Sequence, residues 1–101
     1  MPYPYTLHEQ AHDEYIDAYE WYEEKTEGLG KKFMDCVERK LQQISDHPEY
    51  YSKKHGNFRE AKVYNFPFTI VYEFYKNKQS IHISAVYHVK RNPKRKYRRK
   101  K

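Results

Sequence analysis

A chain of 101 residues makes one domain with a single modest core. A lone cysteine excludes an intrachain disulfide, no apolar run is long enough for a membrane helix, and the N-terminus has no secretory apolar region, so the expected compartment is the cytoplasm with no membrane partner. The net charge of +6 is unevenly spread: nine of the 20 Lys and Arg residues lie between Lys90 and Lys101, and all 14 Asp and Glu residues lie before them, which points to a polyanionic or locally acidic partner.

Tyr3, Tyr5 and Leu7 alternate with Pro4, Thr6 and His8, the period of a short strand, and Pro4, with no N–H to donate, places it at a sheet edge. From about Glu9 to Lys25 the period changes. Ala11, Tyr15, Ala18, Tyr19 and Tyr22 recur at three and four residues, which makes an amphipathic helix. Asp13, Glu14, Asp17, Glu20, Glu23 and Glu24 fall on its other side and read as a solvated surface. Thr26-Glu27-Gly28 breaks the pattern. It restarts at Leu29, Phe33, Val37, Leu41 and Ile44, with Lys40 beside the stripe and Cys36 read as a small buried hydrophobe. This second helix is expected to end near Asp46, because Pro48 disfavours helical geometry at His47. The short connector implies an antiparallel helical hairpin.

Glu49 to Asn57 has neither period and reads as a loop. Three alternating segments follow, at about Phe58 to Tyr64, Phe68 to Tyr75 and Ser80 to His88. The second puts Phe68, Ile70, Tyr72 and Phe74 on one face. The third puts Ile81, Ile83, Ala85 and Tyr87 on one face and His82, Ser84, Val86 and His88 on the other. The short connections Asn65-Phe66-Pro67 and Lys76-Asn77-Lys78-Gln79 predict an antiparallel meander. The predicted fold is α+β in the order β-α-α-β-β-β, a helical hairpin packed on one face of a small, mainly antiparallel twisted sheet. Residues 1–92 are expected to form the domain and 93–101 a flexible basic tail.

Glu20-Trp21-Tyr22-Glu23 near the end of the first helix, Gly28-Leu29-Gly30 opening the second and His47-Pro48 closing it form an ordered set. Phe58-Arg59, Phe66-Pro67-Phe68-Thr69-Ile70-Val71-Tyr72 and Ala85-Val86-Tyr87-His88 followed by Arg91 and Pro93 extend it over nearly the whole chain. With this order of elements the sequence resembles the RelE/ParE superfamily of bacterial toxins, and within it the ParE or plasmid-stabilisation branch. The resemblance implies the toxin of a type II toxin–antitoxin system, held inactive by a cognate antitoxin. It leaves two targets to weigh: ParE members are linked to inhibition of DNA gyrase, whereas the RelE branch cuts mRNA in the ribosomal A site.

Metal-free RNA cleavage needs a base for the 2′-hydroxyl, positive groups on the phosphate and an acid for the leaving oxygen. The residues that would serve are His88, favoured as a neutral base beside Lys90 and Arg91, with Arg59 and Arg91 on the phosphate; Lys62, His82 and Tyr97 are further candidates, and Tyr72 or Tyr87 can stack on a base. Arg59 has an alternative use, pairing with a carboxylate of the helical hairpin, and Tyr72 reads equally as core. The sheet offers few cations, with Arg59 and Lys62 on different faces, which favours the non-nuclease branch. Target or nucleic-acid contacts are assigned to Lys62, Lys90, Arg91, Lys94, Arg95, Tyr97 and Arg98. The tail reads either as a salt-sensitive binding element or as a solubilising terminus.

His8 and His12 have the i, i+4 spacing of a helical zinc pair with Glu9 beside them, but no third ligand, so neither metal nor cofactor is expected. A non-toxic nucleic-acid or protein interaction module on the same fold is the remaining alternative. An exposed aromatic cluster would serve a homodimer or an antitoxin groove.

Overall fold

The computed structural model describes residues 2–90. The elements are β1 (Tyr5–Leu7), α1 (Glu9–Lys25), α2 (Leu29–Asp46), β2 (Lys53–His55), β3 (Phe58–Lys62), β4 (Phe68–Tyr75) and β5 (Ser80–His88), with a 3₁₀ turn at Lys76–Lys78 before β5. One five-stranded sheet has the order β1-β5-β4-β3-β2. β1 runs parallel to β5 at the edge, and every other pairing is antiparallel.

Both helices have the predicted bounds, and each closes for a physical reason. His8 caps α1, its Nδ1 accepting from the Gln10 N–H at 3.0 Å, so the ring lies before the helix and not at the first position of an i, i+4 pair. The α2 N-terminus is capped from α1. Glu23 accepts from the Gly28 N–H at 2.9 Å through Oε2 and from the Gly30 N–H at 3.0 Å through Oε1. Gly28 holds φ 87, a left-handed value that suits glycine. A Cβ on Gly30 would stand 2.7 Å from the Tyr19 carbonyl oxygen, so the hairpin closes only over a glycine.

The core lies between the hairpin and one sheet face. Phe33, Val37, Leu41 and Ile44 of α2 and Ala11, Tyr15 and Ala18 of α1 bury against Ile70, Tyr72, Ile81 and Ile83. Phe33 sits among Tyr22, Phe66 and Phe68 at ring separations of 5.0 to 5.3 Å, largely edge-to-face. Such contacts add about 0.5–1.5 kcal/mol per pair beyond burial. Cys36 is only half-buried at the margin of this core, since it lies beside the α2 stripe and not within it.

Three expectations need correction. The segment read as a loop from Glu49 to Asn57 contains β2, which forms a hairpin with β3 across Gly56 (φ 57) and Asn57. The strand expected to reach Tyr64 ends at Lys62. The third concerns β5, where Val71 pairs with Ala85 but Tyr72 pairs with Ile83, so Ser84 is an extra residue in a β-bulge. Strict alternation therefore fails at Ser84. Ile81 and Ile83 face the helices, then Val86 takes that side, while Ala85 and Tyr87 join Phe58 and Val71 in a second cluster on the opposite face. The same shift brings His88, opposite Phe68, to the helix side.

Candidate functional site

A cleft of about 250 Å3 opens between α1 and the end of β5. Glu14, Asp17, Ala18 and Trp21 line it from the helix, at the i, i+3, i+4, i+7 spacing of one face; Phe68, Val86, Tyr87 and His88 line it from the sheet. β1 ends at Leu7, opposite Ile83, so the edge of β5 beyond that point has no neighbouring strand there. Glu14 fills part of this gap, its Oε1 accepting from the Val86 N–H at 3.0 Å.

His88 packs edge-on against Phe68, with ring centroids 5.2 Å apart. Its Nδ1 accepts from the Lys90 N–H at 3.1 Å, which leaves Nε2 to carry the proton of the neutral ring. Trp21, 48% exposed, stands edge-on to Tyr22 with the Lys25 ammonium 4.8 Å above its ring. The charged groups lining this cleft, among the described residues, are the carboxylates of Glu14 and Asp17. Those carboxylates repel a phosphate. The cleft suits an apolar or cationic side chain, with the indole as an anchor.

The other predicted residues lie elsewhere. Arg59 sits opposite Tyr72 on β4, whereas His88 sits opposite Phe68; four residues of strand, about 13 Å at the usual rise, separate the two positions. Nor does Arg59 pair with a helical carboxylate. Its Nη1 donates to the Tyr51 carbonyl at 2.6 Å. Tyr72 does similar work, fully buried and donating its hydroxyl to the Pro48 carbonyl at 2.7 Å. Burial pushes the Tyr72 phenol up, against a smaller opposing pull from Arg59, which keeps it a neutral donor. Together these two side chains pin the strap between α2 and β2.

Lys62 is exposed on the sheet face away from the helices, in register with Thr69, which in turn pairs with Tyr87. Lys90 is exposed just beyond β5. Arg91, Lys94, Arg95, Tyr97 and Arg98, and with them the basic tail 93–101, lie outside the described residues. His82 is half-buried near His8, with ring centroids 5.9 Å apart.

The sequence reading missed Glu14, Asp17 and Trp21 as cleft walls. A signal existed in their spacing beside Ala18, but carboxylates next to an apolar stripe read as solvated surface. It also missed the role of Glu23. The Glu-Trp-Tyr-Glu and Gly-Leu-Gly segments are joined by that capping carboxylate, so they mark a helix junction.

The family described as the ParE toxin of the type II toxin–antitoxin system, parDE, matches residues 5–93. Among curated proteins none matches. Solved structures with the same fold include the chromosomal ParDE toxin–antitoxin system from P. aeruginosa, at 10% identity and a TM-score of 0.73 over 85% of this chain and 95% of that one. The free E. coli toxin RelE, as a double arginine-to-alanine mutant, aligns at 16% identity and a TM-score of 0.71 over 97% of this chain and 93% of that one. The same mutant bound to a peptide of the antitoxin RelBc aligns at 17% identity and a TM-score of 0.62, over 85% and 82% of the two chains. With the family match spanning β1 to β5 and the fold shared with toxins of both branches, the chain belongs to the ParE toxin family of type II toxin–antitoxin systems.

Proposed function

We propose that this toxin arrests growth by acting on DNA gyrase, without cutting RNA, and that a cognate antitoxin encoded beside it restores growth. The observation that carries this reading is the character of the His88 cleft. A metal-free ribonuclease needs cations converging on the scissile phosphate next to its base. Here, among the described residues, the charged side chains lining the cleft with His88 are Glu14 and Asp17, and Arg59, four residues further along the strands, is held by the Tyr51 carbonyl. The exposed Trp21 at the rim of the cleft gives an antitoxin segment an apolar anchor.

The test is inducible expression in a bacterial host, with growth, mRNA 5′ ends and DNA integrity followed together. The expected result is arrest with DNA damage and unchanged mRNA ends, reversed when the adjacent small reading frame is co-expressed. New cleavages at ribosomal A sites would replace this reading with the RelE-type nuclease. Unimpaired growth with folded protein present would leave a non-toxic interaction module.

A further inference from the structure

Away from the His88 cleft, a cavity of about 410 Å3 lies under the strap that follows α2, lined by Lys40, Gln43, His47, Tyr50, Tyr51 and Tyr64. That volume falls within the range of roughly 300–1,000 Å3 typical of small-molecule sites. Lys40 is only 6% exposed. Its ammonium donates to the Tyr51 hydroxyl at 3.0 Å and lies 4.2 Å from the Tyr64 ring centroid and 5.2 Å from that of Tyr51. Among the described residues no carboxylate stands within ion-pair distance of it. A buried ammonium served only by hydroxyls and ring faces has part of its lost hydration replaced, but no counter-charge.

The walls say what kind of anion fits. Tyr50 is 78% exposed and stands edge-on to Tyr51, with ring centroids 4.9 Å apart, so a flat aromatic surface is presented at the mouth of the cavity. Gln43 bridges the Tyr51 and Tyr64 hydroxyls at 3.3 Å and fixes both rings. Lys53 and Lys54 follow on the exposed strand β2 and add positive charge beyond Tyr51. A fixed cation at the floor and an open ring at the rim match a phosphate joined to a flat base.

We propose that this cavity binds a nucleotide unit, its phosphate on the Lys40 ammonium and its base stacked on Tyr50. The assignment is independent of which target the toxin acts on. The Tyr64 phenol is already held below its ordinary value by its hydrogen bond with Gln43 and by the Lys40 charge. A phosphate on Lys40 cancels part of that charge and returns the phenol upward, giving a readout inside the cavity.

The experiment is NMR titration of the full chain with AMP, inorganic phosphate, a five-nucleotide oligodeoxyadenylate and a glutamate pentapeptide, for wild type, Lys40→Met and Tyr50→Ala. AMP is expected to move the Lys40, Tyr50, Tyr51 and Tyr64 side-chain signals and to raise the pH at which Tyr64 titrates. Inorganic phosphate should move Lys40 and Tyr64 but not Tyr50. Lys40→Met is expected to weaken AMP about tenfold or more, the loss of a hydrogen bond to a charged group. Tyr50→Ala, an exposed change that leaves the core intact, is expected to weaken AMP about tenfold through lost stacking and to leave phosphate binding unchanged. Equal affinity for AMP and the oligonucleotide identifies a free nucleotide as the occupant; tighter oligonucleotide binding that Tyr50→Ala abolishes identifies a single strand. AMP shifts that are absent from these residues, that survive Tyr50→Ala undiminished, or that the glutamate peptide displaces would overturn the proposal.

Discussion

The Glu14 carboxylate of α1 accepts the Val86 backbone N–H of β5 at 3.0 Å, supplying an acceptor just where β1 stops short and leaves that strand edge uncovered. A charged side chain here takes the place of a neighbouring strand. Glu14→Ala leaves the amide without this acceptor and is expected to cost about 1.5–3 kcal/mol, as for hydrogen bonds to charged groups. Glu14→Gln retains an acceptor and should cost less. Chemical denaturation of the pair of variants measures the difference.

The helix junction makes a second expectation. A methyl group on Gly30 meets the Tyr19 carbonyl oxygen at 2.7 Å, and backbone at both ends of that contact has little room to give. Gly30→Ala is therefore expected to destabilise by about 1–3 kcal/mol, the usual range for overpacking, although alanine is the better helix former. A fall in the midpoint of urea unfolding at unchanged slope would confirm it; a stabilised protein would show that the helices can slide apart freely.

Tyr72 and Arg59 hold the strap between α2 and β2 by single hydrogen bonds to the Pro48 and Tyr51 carbonyls. Tyr72→Phe and Arg59→Met are each expected to lower stability by about 1–2 kcal/mol. They should also speed proteolysis at residues 48–52. A loss of toxicity in Arg59→Met with strap and stability unchanged would instead point to a direct role for the guanidinium.

A pH dependence follows from His82. Burial, and then the neighbouring His8, hold its imidazole below the ordinary value of 6.5, with Glu73 pulling weakly the other way. In the unfolded chain it takes up its proton at the ordinary value. Below that pH the unfolded state binds more protons than the folded one, so stability falls as pH drops from about 6.5 toward the lower folded value, and then levels off. Above 6.5 this group contributes no slope. Thermal unfolding of wild type and His82→Asn between pH 7.5 and 5 should converge in slope if other groups control the range, and diverge below pH 6.5 if His82 does.

Much of the architecture was legible because it rests on apolar period. Ala11, Tyr15 and Ala18, and Phe33, Val37, Leu41 and Ile44, mark the buried sides of two helices without ambiguity. β2 was not legible, since Lys53, Lys54 and His55 are all exposed at the sheet edge and bury nothing that would leave a pattern. The bulge at Ser84 was hidden for the opposite reason. Apolar residues occupy both faces from Ala85 to Tyr87, so an inserted residue changes which of them faces the helices without changing how apolar the segment looks. That single step carried His88 to the cleft. The cavity around Lys40 was invisible because a lysine beside an apolar stripe reads as a snorkelling side chain, and only the folded strap shows tyrosines closing over it.

The pairing of β1 with β5 joins residues 5–7 to 81–83, and β5 lies between β1 and β4 in the sheet. The last strand among the described residues thus occupies an interior position, and the sheet before it must wait for it. A nascent chain emerging from the ribosome can form its helical hairpin early, from contacts near in sequence, but the sheet closes only when β5 arrives. An interrupted translation product lacks the strand that borders the His88 cleft and joins the first strand to the meander. A fragment that stops before β5 has no complete sheet, so the folded domain comes into being only once β5 has been made.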